Sequence, residues 1–313
     1  MALGWPRGLP LGSESHAYED KAREFSRLLL DRPKDLKVFT DLDDHFAQYH
    51  SILCSMGKEE AYAREMALFD GIVGWFDRKF LGYDIKILLD AIPPLMLLYY
   101  DEMRPIMKDA GISRFVNRLE EDEAGLFIPK TNKIILLPTG GENDRKMVMA
   151  HEILHYCNEL GCGGEMRALD NTGISQELEN DGWLDEGMTE LHAQQKARKK
   201  GVVPTYISYE DCVMASLFIQ RLAGSKLVKH AYLHGDYTKV RDILDKKIGY
   251  GKFDQMVKMK EALDALVVMA KEAGRRGFEH LFQECGIDWK RPFRKESDVE
   301  RAVTKALEEN AKP

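Results

Sequence analysis

Cysteine is scarce in this sequence, and its distribution excludes a disulfide scaffold. There are five in 313 residues (Cys54, Cys157, Cys162, Cys212 and Cys285), scattered and odd in number. A reducing compartment suits such a chain. Long apolar runs are missing as well. The most apolar stretch, residues 85–100, is interrupted by Lys86, Asp90, Pro93 and Pro94, which excludes a membrane span. The first residues carry Pro6, Arg7 and Pro10 where a secretory signal would need an unbroken apolar core. The expectation is a cytoplasmic protein, although export by a signal-less route would leave no trace in this stretch. Positive charge is not in excess either. With 45 basic against 52 acidic residues and a net charge of −7, general affinity for nucleic acid or an anionic membrane is not expected. Local basic clusters such as Arg198-Lys199-Lys200 and Arg275-Arg276 read as solvated helix ends. Internal repeats and low-complexity segments are absent.

What is present is the composition of a soluble globular protein: 44% hydrophobic and 31% charged residues, over a length able to bury a substantial core. After a loose Gly/Pro start, apolar positions recur at three- and four-residue intervals from Tyr18 to about Asp109, as in residues 61–69 and 85–92. That spacing predicts a helical N-terminal region over residues 1–110. The texture changes after Glu121. Leu126-Phe127-Ile128 and Ile134-Ile135-Leu136-Leu137 are short apolar runs separated by Pro129-Lys130-Thr131-Asn132-Lys133, which predicts a hairpin. Pro138 to Gly141 breaks the second strand. Asn143 or Asp144 is then suited to cap a helix carrying Met147 to Leu160, and Gly161 to Gly164 ends it. Further helices are expected over residues 184–198, from about Tyr209 through Leu222, over residues 253–272 and over residues 298–309.

Within the first of these helices, His151-Glu152-Ile153-Leu154-His155 matches H-E-x-x-H. Residues four apart stand one turn above each other, so both imidazoles face the same side and can share one metal ion. Zinc suits the pair because it takes imidazole nitrogen readily and tolerates an open fourth position. Glu152 would stand beside the metal, placed to accept a proton from bound water. The bland alternative is a helix with two solvent-facing histidines. A catalytic zinc needs a third protein ligand, and Trp183-Leu184-Asp185-Glu186-Gly187-Met188-Thr189-Glu190 offers two carboxylates spaced by four on another helix. Glu186 can bind the metal. Glu190, one turn along, can accept a hydrogen bond from the outer nitrogen of a ligand histidine and fix its tautomer. Cys157 and Cys162 are rival ligands for a closed structural zinc site, but Cys157 falls on a different helix face from His155. His192, six residues past Glu186, points away from that ligand's face and reads as structural.

H-E-x-x-H followed by Trp183-Leu184-Asp185-Glu186-Gly187 resembles the gluzincin metallopeptidases, a group that includes thermolysin-like proteases, a large aminopeptidase family and the lethal-factor catalytic domain. The resemblance covers about residues 126–192, and more weakly extends to 249. It implies a zinc-dependent peptidase with His151, His155 and Glu186 as ligands, Glu152 as general base and Glu190 as the outer partner of a ligand ring. The partner it implies is a peptide or protein substrate, and the strand before the motif helix, residues 134–137, would form one wall of its cleft. The fold implied is α+β and mainly α: a zincin-like core over residues 111–251, containing a small antiparallel sheet, with a helical region before it and another over residues 252–313. In such sites a Tyr or His donor supports the oxyanion. Tyr206, Tyr209, His230, Tyr232, His234 and Tyr237 are the candidates, with Tyr209 favoured for its place at a helix start and Tyr232 second. The connection from His155 to Glu186 is longer than in the aminopeptidase pattern, and the glycine-rich exopeptidase motif is absent, which leaves endopeptidase or another amide hydrolase open. A catalytically inactive zincin-like protein, acting as a zinc-binding scaffold, is the alternative from another functional class.

Overall fold

The computed structural model describes residues 53–82, 84–86, 94–103, 124–128, 133–138, 140–162, 182–205 and 208–259, with isolated positions beside them. The N-terminal helix read from Tyr18, the connection after Gly163 and the helix read over residues 298–309 lie outside the described residues. The chain forms two compact units, Met1–Pro138 and Thr139–Pro313.

The first unit contains helices α1 (Glu59–Val73) and α2 (Arg78–Leu81) and strands β1 (Leu95–Leu98), β2 (Gly125–Ile128) and β3 (Lys133–Leu136). α1 follows the expected spacing and buries Phe69, Ile72 and Val73 along one side. β2 and β3 pair antiparallel with Leu126 opposite Ile135, which is the hairpin read from the sequence. The sheet is mixed, however, because β1 lies parallel on the other side of β3 with Leu97 opposite Ile135. An antiparallel sheet with only helices before it was expected, and β1 corrects that reading. The cause is local. Pro94 lacks the amide that a helix interior needs, and the four-residue apolar run that follows it, Leu95 to Leu98, suits a buried strand. β3 occupies the centre, and Ile134, Ile135 and Leu136 are all buried there, as a central strand covered on both faces requires.

The second unit is helical: α3 (Glu142–Cys162), α4 (Trp183–Lys199), α5 (Glu210–Ala223), α6 (Ser225–His234), α7 (Thr238–Ile248) and α8 (Lys252–Val257). α3 begins at Glu142, ahead of both expected caps, Asn143 and Asp144. Asp144 caps from inside the first turn, its Oδ2 accepting from the Gly141 amide at 3.3 Å. Its other oxygen accepts from the Thr205 amide at 2.7 Å and the Thr205 hydroxyl at 2.9 Å. One carboxylate therefore ties the start of α3 to the chain that leaves α4. α6 and α7 were not foreseen as helices, although Val240, Leu244 and Ile248 recur every four residues and are all buried.

α4 is the core helix of this unit and packs against both α3 and α5. Its packing on α5 depends on Gly187, because a Cβ there would collide with the Cys212 carbonyl and stand 2.6 Å from the Ser216 hydroxyl. The indole of Trp183 anchors the start of α4 by donating to the Met256 carbonyl of α8 at 3.3 Å. No helix among the described residues is long and apolar enough to cross a membrane. The molecule is thus α+β and mostly helical, with a small three-stranded mixed sheet.

Candidate metal centre

Most of α4 is buried, yet its buried residues include Glu186, Thr189, Glu190, His192 and Gln194. Facing it, α3 buries His151 and Glu152 at 7% and 5% exposure. Charged groups are seldom buried unless paired, so their concentration between two packed helices points to a binding site rather than to core packing.

Three donor atoms converge there. His151 Nε2 and His155 Nε2 stand 3.0 Å apart. Glu186 Oε2 lies 3.1 Å from the first and 3.5 Å from the second. Ligands held about 2.0–2.1 Å from a tetrahedral zinc are separated by roughly 3.3 Å, so a triangle of this size matches a single ion. His151, His155 and Glu186 form a group able to hold a metal, with ligand atoms all within 4.8 Å of one another.

The outer nitrogens explain why the inner ones converge. His151 Nδ1 meets Glu190 Oε2 at 2.9 Å, and His155 Nδ1 meets Asp185 Oδ2 at 3.3 Å. A carboxylate can only accept, so each Nδ1 carries a hydrogen, and each Nε2 turns inward, where it can share a proton with Glu186 or, once deprotonated, coordinate a cation. Two Nε2 atoms 3.0 Å apart beside a carboxylate oxygen form a site that protons or a metal cation can fill. This donor set fits a divalent metal of the imidazole-binding class.

The carboxylates are held in turn. Glu190 Oε1 accepts from Gln194 Nε2 at 2.9 Å and from the Ser208 amide at 3.3 Å. Asp185 Oδ1 accepts from Asn158 Nδ2 at 2.8 Å, which bridges α4 back to α3. Thr189 Oγ1 stands 3.5 Å from His155 Nδ1 and 2.6 Å from the hydroxyl of Tyr232. That hydroxyl also reaches the Leu154 carbonyl at 3.4 Å.

The charge balance is negative. Asp185, Glu186, Glu190 and Glu152 are gathered on two imidazoles. Burial by itself would lower the pKa of His151, but the hydrogen bonds to Glu186 and Glu190 outweigh it and lift the ring to about 10. His155 is also lifted well above its usual range, because the charge of Glu186 and the bond to Asp185 overcome the same burial. For Glu186, burial pushes upward, yet the neighbouring imidazoles hold its carboxyl well below the ordinary range. The cluster attracts positive charge, and protons and a metal ion compete for the same lone pairs.

Tyr209 is brought to this site. It precedes α5 in the left-handed region, at φ 54°, the one non-glycine residue with positive φ among those described. Its ring stacks on His151 with centroids 5.8 Å apart and planes 21° from parallel. Tyr209 is 39% exposed and thus borders solvent. Tyr232 is buried and engaged behind His155, while His230 and His234 stand together on α6 and Tyr237 stacks on Phe253. Tyr206 lies outside the described residues. His192 is buried against the Tyr232 ring, 5.4 Å between centroids, in keeping with a structural role. Cys157 is buried, forms no disulfide and is not among the converging donors. Asp185, Thr189 and Asn158 were not singled out from the sequence. Only Asp185 carried a signal, as an acid preceding the ligand Glu186.

No protein-family model matches the chain, and neither the curated proteins nor the solved structures contain a significant match to it.

Proposed function

We propose that this chain is a gluzincin-type metallopeptidase, which uses His151, His155 and Glu186 to hold zinc and Glu152 as general base in peptide-bond hydrolysis. The observation that carries the reading is the convergence of three lone-pair donors, each imidazole locked by a carboxylate on its far nitrogen. Zinc bound there supplies a Lewis acid and lowers the pKa of its water toward neutrality.

The chain's own residues account for the rest. Glu152 follows a ligand on the same helical turn and is buried, so its carboxylate takes the proton of the attacking water and returns it to the leaving amine. Glu190 and Asp185 keep both rings in the Nδ1–H tautomer and strengthen them as ligands. Tyr209, stacked on His151 at the solvent side, is the donor assigned to the developing oxyanion.

Glu152→Gln tests the reading. The variant should keep its metal while losing hydrolysis of a broad peptide library by roughly 10²–10⁴-fold, the usual worth of a general base. Unchanged hydrolysis overturns it. A wild-type protein that binds zinc but cleaves nothing supports the inactive zincin-like scaffold instead. The two-histidine, one-carboxylate set also suits iron(II). Elemental analysis returning iron rather than zinc would point to oxygen chemistry and away from hydrolysis.

A further inference from the structure

The spacing that carries the first centre occurs a second time. His230 and His234 lie four apart on α6 (Ser225–His234), with ring centroids 4.4 Å apart and planes tilted by 49°. The corresponding values for His151 and His155 are 4.7 Å and 67°. We infer that His230 and His234 form a second, exchangeable site for a borderline divalent transition metal, of the copper(II) and zinc class, on the surface of α6. The inference is independent of the function proposed for the first centre.

Four observations bear on it. The pair stands on the outer side of α6, because Val228, Ala231, Tyr232 and Leu233 are buried while His230 is exposed and His234 half-buried. A metal there can therefore keep several waters. Burial and the neighbouring charges of His230 and Lys229 hold the pKa of His234 down at about 4, so its lone pair is available at neutral pH. His234 closes the last turn of α6 before Gly235, which is left-handed at φ 66°. A cation at this helix end is favoured by the unpaired carbonyls of the final turn. Burial pushes the Asp236 carboxyl up, but the Thr238 hydrogen bonds, and after them the neighbouring His230, hold it below the ordinary range. Its Oδ1 is occupied by the Thr238 amide at 3.1 Å. Lys229 opposes a cation.

Two imidazoles with water completing the shell bind more weakly than two imidazoles and a carboxylate. Affinity should follow the usual order for nitrogen sites, with copper(II) ahead of zinc. The ion would bridge one turn of the helix whose Tyr232 stands behind His155. Binding to the folded state alone raises its thermal midpoint with metal concentration.

The test is a copper(II) titration of the full chain already saturated with zinc, read by electron paramagnetic resonance. The expected result is one additional equivalent with hyperfine structure from two nitrogens. In His230→Ala, and separately in His234→Ala, it should weaken by roughly tenfold or more, since losing a direct ligand costs at least what losing an outer partner does. His230 is exposed, so the first variant retains the fold, and an unchanged melting curve without copper verifies this. The inference is overturned if no additional equivalent binds, if the spectrum reports one nitrogen, or if either variant binds as the wild type does.

Discussion

α3 and α6 each present two histidines four residues apart, and the two pairs have similar ring separations. What surrounds them differs. Behind His151 and His155 stand Glu190 and Asp185, and between their inner nitrogens comes Glu186, all three from α4. Beside His230, which is exposed, and His234, which is half-buried, stands the ammonium of Lys229, whose charge adds to burial in keeping His234 neutral. In the first pair burial is overcome by carboxylates and both rings are pulled toward the charged state. In the second, burial meets like charge, and His234 is pushed the other way. Helical spacing makes a pair. The helix packed across from it decides whether the pair becomes a strong cation site.

The contrast can be broken most severely at the ligands. His155→Ala removes one of three donors, and tightly bound metal should fall from about one ion per chain to none, with loss of any hydrolysis. Elemental analysis of the purified variant checks it. Removing an outer carboxylate should move the first pair toward the second. Glu190→Ala is expected to weaken metal binding by roughly 10–100-fold, measured by competition with a chromophoric chelator. A smaller effect is expected where α4 meets α5. Gly187→Ala inserts a methyl against the Cys212 carbonyl and should cost about 1–3 kcal/mol, read as a lower denaturation midpoint. The last effect is silent at neutral pH and appears only in acid; it concerns His192, which burial and the charge of Lys229 hold down to about 3. The folded state refuses a proton there that the unfolded chain accepts below pH ~6.5, so stability is complete above that value and declines as pH falls toward 3. The slope from this group approaches about 1.4 kcal/mol per pH unit, and His192→Leu should remove it in denaturation curves across that range.

The candidate centre was largely legible because its geometry is local. His151, Glu152 and His155 are set by one helical turn, and Glu186 and Glu190 by another, so reading two helices was enough to name them. Asp185 and Thr189 stayed hidden because their roles depend on how α4 is rotated against α3, and a tertiary angle leaves no mark in local spacing. Tyr209 was legible as a helix start, but its stack on His151 requires a left-handed residue that nothing in the sequence announces. In the sheet, the hairpin of β2 and β3 was visible in its two apolar runs, whereas β1 was missed. A parallel neighbour pairs across a long separation in sequence, without a turn to signal it. α6 and α7 were missed although their buried residues recur at helical intervals, since charged residues interrupt the apolar ones throughout.

The most direct test of the three-donor centre is metal content by elemental mass spectrometry after a chelator wash, for wild type beside Glu186→Ala. The expected result is about one zinc per chain in the wild type and none in the variant, whose remaining pair then resembles the one on α6. Zinc retained in Glu186→Ala, or absent from a wild type refolded with zinc, would contradict the convergence of His151, His155 and Glu186 on one ion.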